Sequence, residues 1–294
     1  MPGILVTGAN GQVGRSLQAL SEQWKDWNFF FTDVQTLDIT DEAAVQAFFK
    51  ANSIDFCINA AGYTAVDRAE SEPDLARSIN AKGPQLIADH CKQHSATLIH
   101  ISTDYVYHSG QNTPFEEDDP AMPQSVYART KWEGEQAALQ HCPQTIVVRT
   151  SWIYSPYGHN FLRTMLRLGK ERPQLKVVYD QVGTPTAAPE LADALLQIIH
   201  AIDSGVVPTE KAQGVFNYSP EGVTSWYDFA LAIFEKTGTS TTVLPIRTID
   251  YPTPAVRPPF SVMSKEKIKS VFKLKIPHWT KGLDQCIAQL SEHS

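Results

Sequence analysis

Tyr127 and Lys131 stand four positions apart in Ser125-Val-Tyr-Ala-Arg-Thr-Lys131, downstream of Gly8-Ala-Asn10-Gly11-Gln12-Val13-Gly14. On a helix, positions i and i+4 share a face. A phenol and an ammonium on one face form a proton-transfer pair, because the cation favours the phenolate. A free Tyr, with a pKa of about 10, is a poor acid or base near neutrality until a neighbouring cation lowers it. The glycines follow the apolar run Ile4-Leu-Val6 and precede Val13, Leu17 and Leu20 at helical spacing. This strand–turn–helix setting suits a dinucleotide's pyrophosphate: small residues admit the anion, and helix N-terminal amides face it. The spacing, G-x-x-G-x-x-G, is a variant of the usual fingerprint. A tuned Tyr beside a dinucleotide site implies hydride transfer to or from a carbonyl. Each feature has a plainer alternative, a solvated helix face for the pair and an ordinary turn for the glycines.

The elements that must carry these residues alternate. Strand patterns at 4–7, 29–32, 56–59, 98–102 and 146–149 are separated by helical patterns at 12–20, 41–52, 74–93 and 126–140. Short apolar strands between helices predict βαβ units and a doubly wound, Rossmann-type parallel sheet, with ligands outside the strands' carboxyl ends. The unusual polar residues collect at those ends. Asp33 ends the second strand, about 20 residues past the glycine turn, where an acidic side chain meets the adenosine ribose. Asn59-Ala60-Ala61-Gly62 ends the third strand, Ser102-Thr103-Asp104 the fourth and Thr150-Ser-Trp152 the fifth. Asp33 and Asp38 could equally be turn or capping residues. A hydroxyl of Ser102 or Thr103 could bond a substrate carbonyl and steady the developing alkoxide, or simply complete the strand end. Trp152 could pack in the core or wall a sugar or base.

After residue 155 the pattern loosens. Short strands at 176–178, 215–218 and 243–246 mix with helices at 160–171, 190–202, 226–237, 265–272 and 280–290, around a proline-rich stretch at 245–260. Residues 1–155 are therefore expected to form the dinucleotide-binding domain. Residues 156–294 should mainly form a smaller mixed α/β substrate-binding domain, with segments exchanged between the two.

The 294 residues carry a net charge of -7 with both signs interspersed, which argues against a nucleic-acid surface. Cys57, Cys91, Cys142 and Cys286 lie far apart without a C-x-x-C, as free thiols in a reducing cytoplasm would. No apolar run reaches the ~20 residues of a membrane span, and the N-terminus enters the first strand directly, without a signal peptide.

Thr7-Gly8-x-x-Gly11-x-x-Gly14 with Tyr127-x-x-x-Lys131 resembles the extended branch of the short-chain dehydrogenase/reductases. Longer strings narrow the resemblance: Asn59-Ala-Ala-Gly-Tyr-Thr-Ala-Val-Asp67-Arg-Ala-Glu70, Ile101-Ser-Thr-Asp-Tyr-Val106, Arg149-Thr-Ser-Trp-Ile-Tyr154, Gly158-His-Asn-Phe161, Asp180-Gln-Val-Gly-Thr-Pro185 and Arg257-Pro-x-x-Ser261. Together they are similar to the dTDP-4-dehydrorhamnose reductase family over nearly the whole chain. The resemblance implies reduction of a dTDP-sugar's 4-keto group by NADPH or NADH. It implies Tyr127 as acid/base, Lys131 as its partner and Thr103 as third catalytic residue. Gly11, Gln12 and Val13 would lie at the pyrophosphate, Asp38 and Ile39 beside the adenine, and Ala61, Gly62 and Tyr63 along the cofactor. Gly8, Asn10, Gly14, Asp33, Ala60 and Ser102 complete the expected cofactor contacts. Asp104, Tyr105, Trp152, Asn160 and Arg257 would meet the sugar nucleotide, and a homodimer is compatible with the resemblance.

Three features depart from the family. Ala128 replaces a usual Gly, Ser155 a frequent one, and the turn at Tyr107-His-Ser-Gly110 is one residue longer. Ser16 stands where some relatives carry an acidic residue of a metal site between subunits, so no metal is expected, despite Glu190. Two other readings of the same residues are a cofactor-binding regulatory subunit of the methionine adenosyltransferase type and a nucleotide-sugar epimerase or dehydratase. A dehydratase would need a carboxylate next to Asp104, and Tyr105 stands there instead.

Overall fold

The computed structural model describes residues 1–292. Its first half runs β1 (Gly3–Thr7), α1 (Gln12–Ser21), β2 (Asn28–Phe31), α2 (Glu42–Ala51) and β3 (Phe56–Asn59). Short helices α3 (Val66–Ala69) and α4 (Pro73–Arg77) lead through a π-helical stretch, Ser78–Lys82, into α5 (Gly83–Gln93). Then come β4 (Thr97–Thr103), α6 (Val126–His141) and β5 (Thr145–Thr150). The rest is β6 (Ile153–Tyr154), α7 (Phe161–Glu171), β7 (Gln174–Val178), β8 (Val182–Gly183), β9 (Thr186–Ala187), α8 (Ala188–Asp203), α9 (Thr209–Ala212) and β10 (Gly214–Tyr218). It ends with β11 (Thr224–Ser225), α10 (Trp226–Thr237), β12 (Thr242–Ile246), α11 (Glu266–Phe272) and α12 (Trp279–Glu292).

Six strands form one sheet in the order β10-β5-β4-β3-β1-β2, and every pairing in it is parallel. The order reverses beside β1, whose partners are β2 on one side and β3 on the other. A crevice for a ligand opens at such a switch point. One face of the sheet is covered by α1, α8 and α11 through Leu17, Leu195 and Ile268. On the other face, Val45, Phe49, Ile87 and Ala138 bring in α2, α5 and α6. A third apolar cluster, with Leu162, Leu175, Phe229, Ile233 and Leu283, joins α7, β7, α10 and α12. Separate apolar clusters are how one chain encloses a cleft between its parts.

One expected helix differs from the pattern. The helix expected at 74–93 is broken, because Pro84 has no N–H to give the Asn80 carbonyl four residues back. The backbone widens there, and Gly83 N donates to the Ser78 carbonyl five residues back. The freed Asn80 carbonyl faces α6, where a Cβ on Gly134 would stand 2.0 Å from it. The strand at 214–218, β10, enters the main sheet beside β5 although it follows residue 156 in the chain. All four cysteines are buried and unpaired, and no described helix is long and apolar enough to cross a membrane.

Candidate active site

The glycine turn is built by close packing. Gly8 takes a φ of 67°, and a Cβ on Gly14 would stand 2.4 Å from the Gly8 carbonyl oxygen. Any side chain at Gly14 would open the turn, so that glycine serves the fold of the site. Gly11 caps α1 without a side-chain bond, leaving helix-end amides to an anion. Asp33 Oδ2 accepts from Asn10 N at 2.8 Å and its Oδ1 from Val34 N at 2.7 Å, clipping the turn to the end of β2. Asp38 Oδ1 accepts from both Thr40 N and Thr40 Oγ1 at 2.8 Å. Thr7 Oγ1 donates to Asn59 Oδ1 at 2.7 Å and accepts from Ala61 N at 3.4 Å, which ties the 60–62 loop to β1.

The proton-transfer side is set by helix caps. Ser125 Oγ accepts from Ala128 N at 3.2 Å, and Glu70 Oε1 accepts from Val126 N at 2.8 Å. Two orphan amides are thereby satisfied, and Tyr127 is held in the first turn of α6. At the end of β4, Thr103 Oγ1 accepts from Tyr105 N and donates to Asp104 Oδ1, both at 3.2 Å. Burial pushes the Tyr127 phenol up to about 12, the Thr103 hydrogen bond works to lower it and the Asp104 charge raises it further. Burial lifts Asp104 to about 7, against hydrogen bonds with Ser261 and Thr103. Its Oδ2 is buried and makes no well-formed hydrogen bond, so the Ser261 interaction is a loose one.

Lys131 is likewise buried, and Nζ donates to the Ile101 carbonyl at 2.7 Å. Burial brings its ammonium down to about 8, with Glu135 pulling it back up. The expected depression of the phenol by Lys131 is therefore not what sets Tyr127, where burial dominates. A phenol in this condition keeps its proton at neutral pH and can serve as a donor.

One cavity of 880 Å³ gathers the two sides, a size that suits a cofactor with a small substrate. Gly8, Asn10, Gly11, Gln12, Val13, Asp33, Asp38, Ile39, Ala60, Ala61 and Gly62 line its glycine-turn side. Ser102, Thr103, Asp104, Tyr105, Tyr127, Lys131, Trp152 and Asn160 line the rest. Gly14, Tyr63 and Arg257 do not face it. Gly14 lies beneath the turn. The Tyr63 hydroxyl donates to Glu72 Oε2 at 2.6 Å. The Arg257 guanidinium grips Asp67 with both amino nitrogens, at 3.0 and 2.7 Å. The Asn160 amide is already engaged, donating to Gln12 Oε1 and to the Ser155 and Tyr157 carbonyls.

Some groups around the site gave no local signal. Asn80, in the π-helical stretch, accepts from Tyr63 N at 2.8 Å and donates to the Tyr63 carbonyl and to Thr130 Oγ1, tying the loop after β3 to α6. Arg149 and Glu135 form a buried ion pair at 2.7 Å, and Ser102 Oγ donates to the same carboxylate. Trp226 lines the cavity from α10. The i,i+4 spacing of Lys131 and Glu135 could have marked Glu135 as a neighbour of the site, whereas Trp226 reads like any core aromatic. Ser16 Oγ donates to the Gln12 carbonyl at 2.9 Å. Glu190, lifted by burial to about 7, has no hydrogen-bond partner on either oxygen. Among the described residues, no three or more His, Cys, Asp or Glu come together as metal ligands would.

Residues 1–292 match the family described as RmlD substrate binding domain. The dTDP-4-dehydrorhamnose reductase of Aggregatibacter actinomycetemcomitans is 38% identical over 96% of this chain and 97% of its own length. The crystal structure of the Clostridium acetobutylicum dTDP-4-dehydrorhamnose reductase superposes with a TM-score of 0.91 at 40% identity, covering 98% of this chain and 99% of that one. The Bacillus anthracis dTDP-4-dehydrorhamnose reductase, solved in complex with NADP, also has a TM-score of 0.91, at 34% identity, covering 98% of this chain and 100% of that one. With a family match along its whole described length and relatives above 30% identity over nearly all of it, the chain belongs to the RmlD family of dTDP-4-dehydrorhamnose reductases.

Proposed function

We propose that this protein reduces the 4-keto group of dTDP-4-dehydro-L-rhamnose to give dTDP-L-rhamnose, using NADPH or NADH, with Tyr127 as proton donor. The observation that carries the reading is a single cavity lined by Tyr127, Thr103 and Lys131 together with the glycine turn and Trp152. The turn that only a Gly14 hydrogen fits, with the end of α1 beside it, suits a dinucleotide's pyrophosphate. When bound, the reduced nicotinamide supplies the hydride that the carbonyl carbon accepts.

The chain's own groups do the rest. Tyr127 holds its proton near neutrality, and the alkoxide of a reduced ketone is a stronger base than a phenolate, so the proton moves toward the sugar oxygen. The Thr103 hydroxyl, turning its hydrogen from Asp104 Oδ1, steadies that oxygen as charge develops on it. The Lys131 ammonium, one helical turn along, favours the phenolate left behind. Asp104, Tyr105 and Trp152 meet the sugar nucleotide, and residues 156–294 form the part that encloses it, with Trp226 on the cavity wall. The buried free thiols fit a reducing compartment such as the cytoplasm.

The test is direct. Purified protein mixed with dTDP-4-dehydro-L-rhamnose and NADPH should lose cofactor absorbance in step with dTDP-L-rhamnose formation. No cofactor oxidation with this sugar, or with NADH in its place, would overturn the reading.

A further inference from the structure

Trp152 has the backbone of a residue under constraint. Its φ is 48°, in the left-handed region that a residue with a Cβ adopts only when its surroundings over-determine it. Those surroundings are visible on both sides. Ser151 Oγ donates to the Thr184 carbonyl at 2.6 Å, and Thr186 N donates to the Trp152 carbonyl at 3.2 Å. Just beyond, Ile153 pairs with Thr186 in the β6–β9 ladder.

The indole that this backbone projects is held as well. The Trp226 ring stacks on it with centroids 3.7 Å apart and planes 9° from parallel. Against its six-membered ring lies Gly183, where a Cβ would stand 2.8 Å from two ring atoms and 3.0 Å from Ser261 Oγ. The two supports are themselves joined. Thr224 and Ser225 of β11 pair with Gly183 and Val182 of β8, and Ser225 Oγ accepts from Asp228 N to start the helix that Trp226 opens. Val182 also donates to the Pro259 carbonyl and accepts from Ser261 N. The string Asp180-Gln-Val-Gly-Thr-Pro185 thus braces three segments at one point beside Trp152.

We propose that Trp226 and Gly183 are positioning residues. They fix the Trp152 indole as a rigid platform for the hexose of the substrate, and so set the affinity for the sugar nucleotide without touching the dinucleotide site. Both indoles line the cavity, and the aromatic surface that their stack leaves open suits the C–H face of a deoxy sugar. A strained, doubly supported ring pays little of its own ordering on binding. The claim rests on the proposed function for the identity of the sugar, but not for the placement of the ring.

Gly183→Ala, Trp226→Leu and Trp226→Phe test it with two readouts. Parallel indoles this close couple excitonically, so circular dichroism reports the Trp152–Trp226 stack without any substrate. The Trp24–Trp27 pair, also stacked at 4.2 Å, adds a background common to all variants. Gly183→Ala should change the couplet, and both Trp226 variants should remove it. In kinetics, Gly183→Ala and Trp226→Leu should raise KM for the sugar nucleotide by about 10-fold, with cofactor Kd unchanged. Trp226→Phe, which keeps a stacking ring, should stay within about threefold of wild type. An unaltered couplet in Gly183→Ala, or a normal sugar KM in Trp226→Leu with only a lower Tm, would overturn the proposal. A wild-type protein inactive on this sugar would instead sink the substrate assignment and leave the couplet to decide the placement.

Discussion

Glu135 lies one turn beyond Lys131 on α6, fully buried, with its carboxylate shared between Ser102 and Arg149. Lys131 lines the cavity, and Glu135 does not. Burial alone would drive the Lys131 ammonium toward its neutral form, and the Glu135 charge opposes that, leaving Lys131 at about 8. Arg149 in turn donates to Tyr107 Oη at 2.7 Å, so the network runs from α6 through β5 to the loop after β4.

Replacing Glu135 with Gln should therefore move the alkaline limb of activity. Activity that needs the Lys131 cation is lost as pH rises through the lysine's pKa, and without Glu135 that pKa falls further below 8. The descending limb of the kcat–pH profile should shift to lower pH by about one unit. The variant also leaves Arg149 without its counter-charge, at a cost of about 3–5 kcal/mol in stability. Combining it with Arg149→Met should restore Tm while the pH shift remains. An unshifted limb in both variants would show that Glu135 only holds the fold together.

Asp33 should decide between the two nicotinamide cofactors. It lines the cavity with Asp38, and Lys131 is the one Lys or Arg among the lining residues. A 2′-phosphate near Asp33 meets a carboxylate and no cation, so kcat/KM should favour NADH. Asp33→Ala should shift the ratio toward NADPH, although it also unclips Asn10 N and should weaken both cofactors somewhat. An unchanged NADPH-to-NADH ratio would place the selecting group elsewhere.

Asp104 should leave its mark on stability against pH. Its pKa rises from 3.8 to about 7 in the folded protein, chiefly through burial. Between those values the folded state holds a proton that the unfolded chain has released, so stability falls as pH rises, and above about 7 the full penalty is present. Asp104→Asn does not titrate. Its Tm should match wild type near pH 4 and exceed it by a few degrees at pH 8. Equal Tm differences at both pH values would mean that Asp104 is not held up by burial.

Much of the site was legible because it is local. The glycine turn follows an apolar strand and opens a helix, and Tyr127 and Lys131 share a helical face by spacing alone. The strand-end clusters at 59–62, 102–104 and 150–152 follow from the same alternation, and all three contribute residues to the cavity. What escaped depends on partners far away in the chain. A short strand such as Gly214–Tyr218 carries no local sign of the sheet it joins. Glu135 and Arg149 carry no local sign of each other, and only their pairing across the interior explains their burial. The break at Asn80 is hidden because Asp74–Gln93 keeps helical periodicity on both sides of Pro84. The resemblance assigns Arg257 to the sugar nucleotide, and only the folded chain brings Asp67 against it.

The central claim is that Tyr127 delivers the proton that completes reduction of the sugar. The most direct measurement compares wild type with Tyr127→Phe, using dTDP-4-dehydro-L-rhamnose and NADPH and titrating cofactor separately by fluorescence. The variant loses one hydroxyl and keeps the ring, so cofactor affinity should survive while kcat falls by about 10²–10⁴-fold. Near-normal turnover in Tyr127→Phe, with the sugar still reduced, would contradict the account.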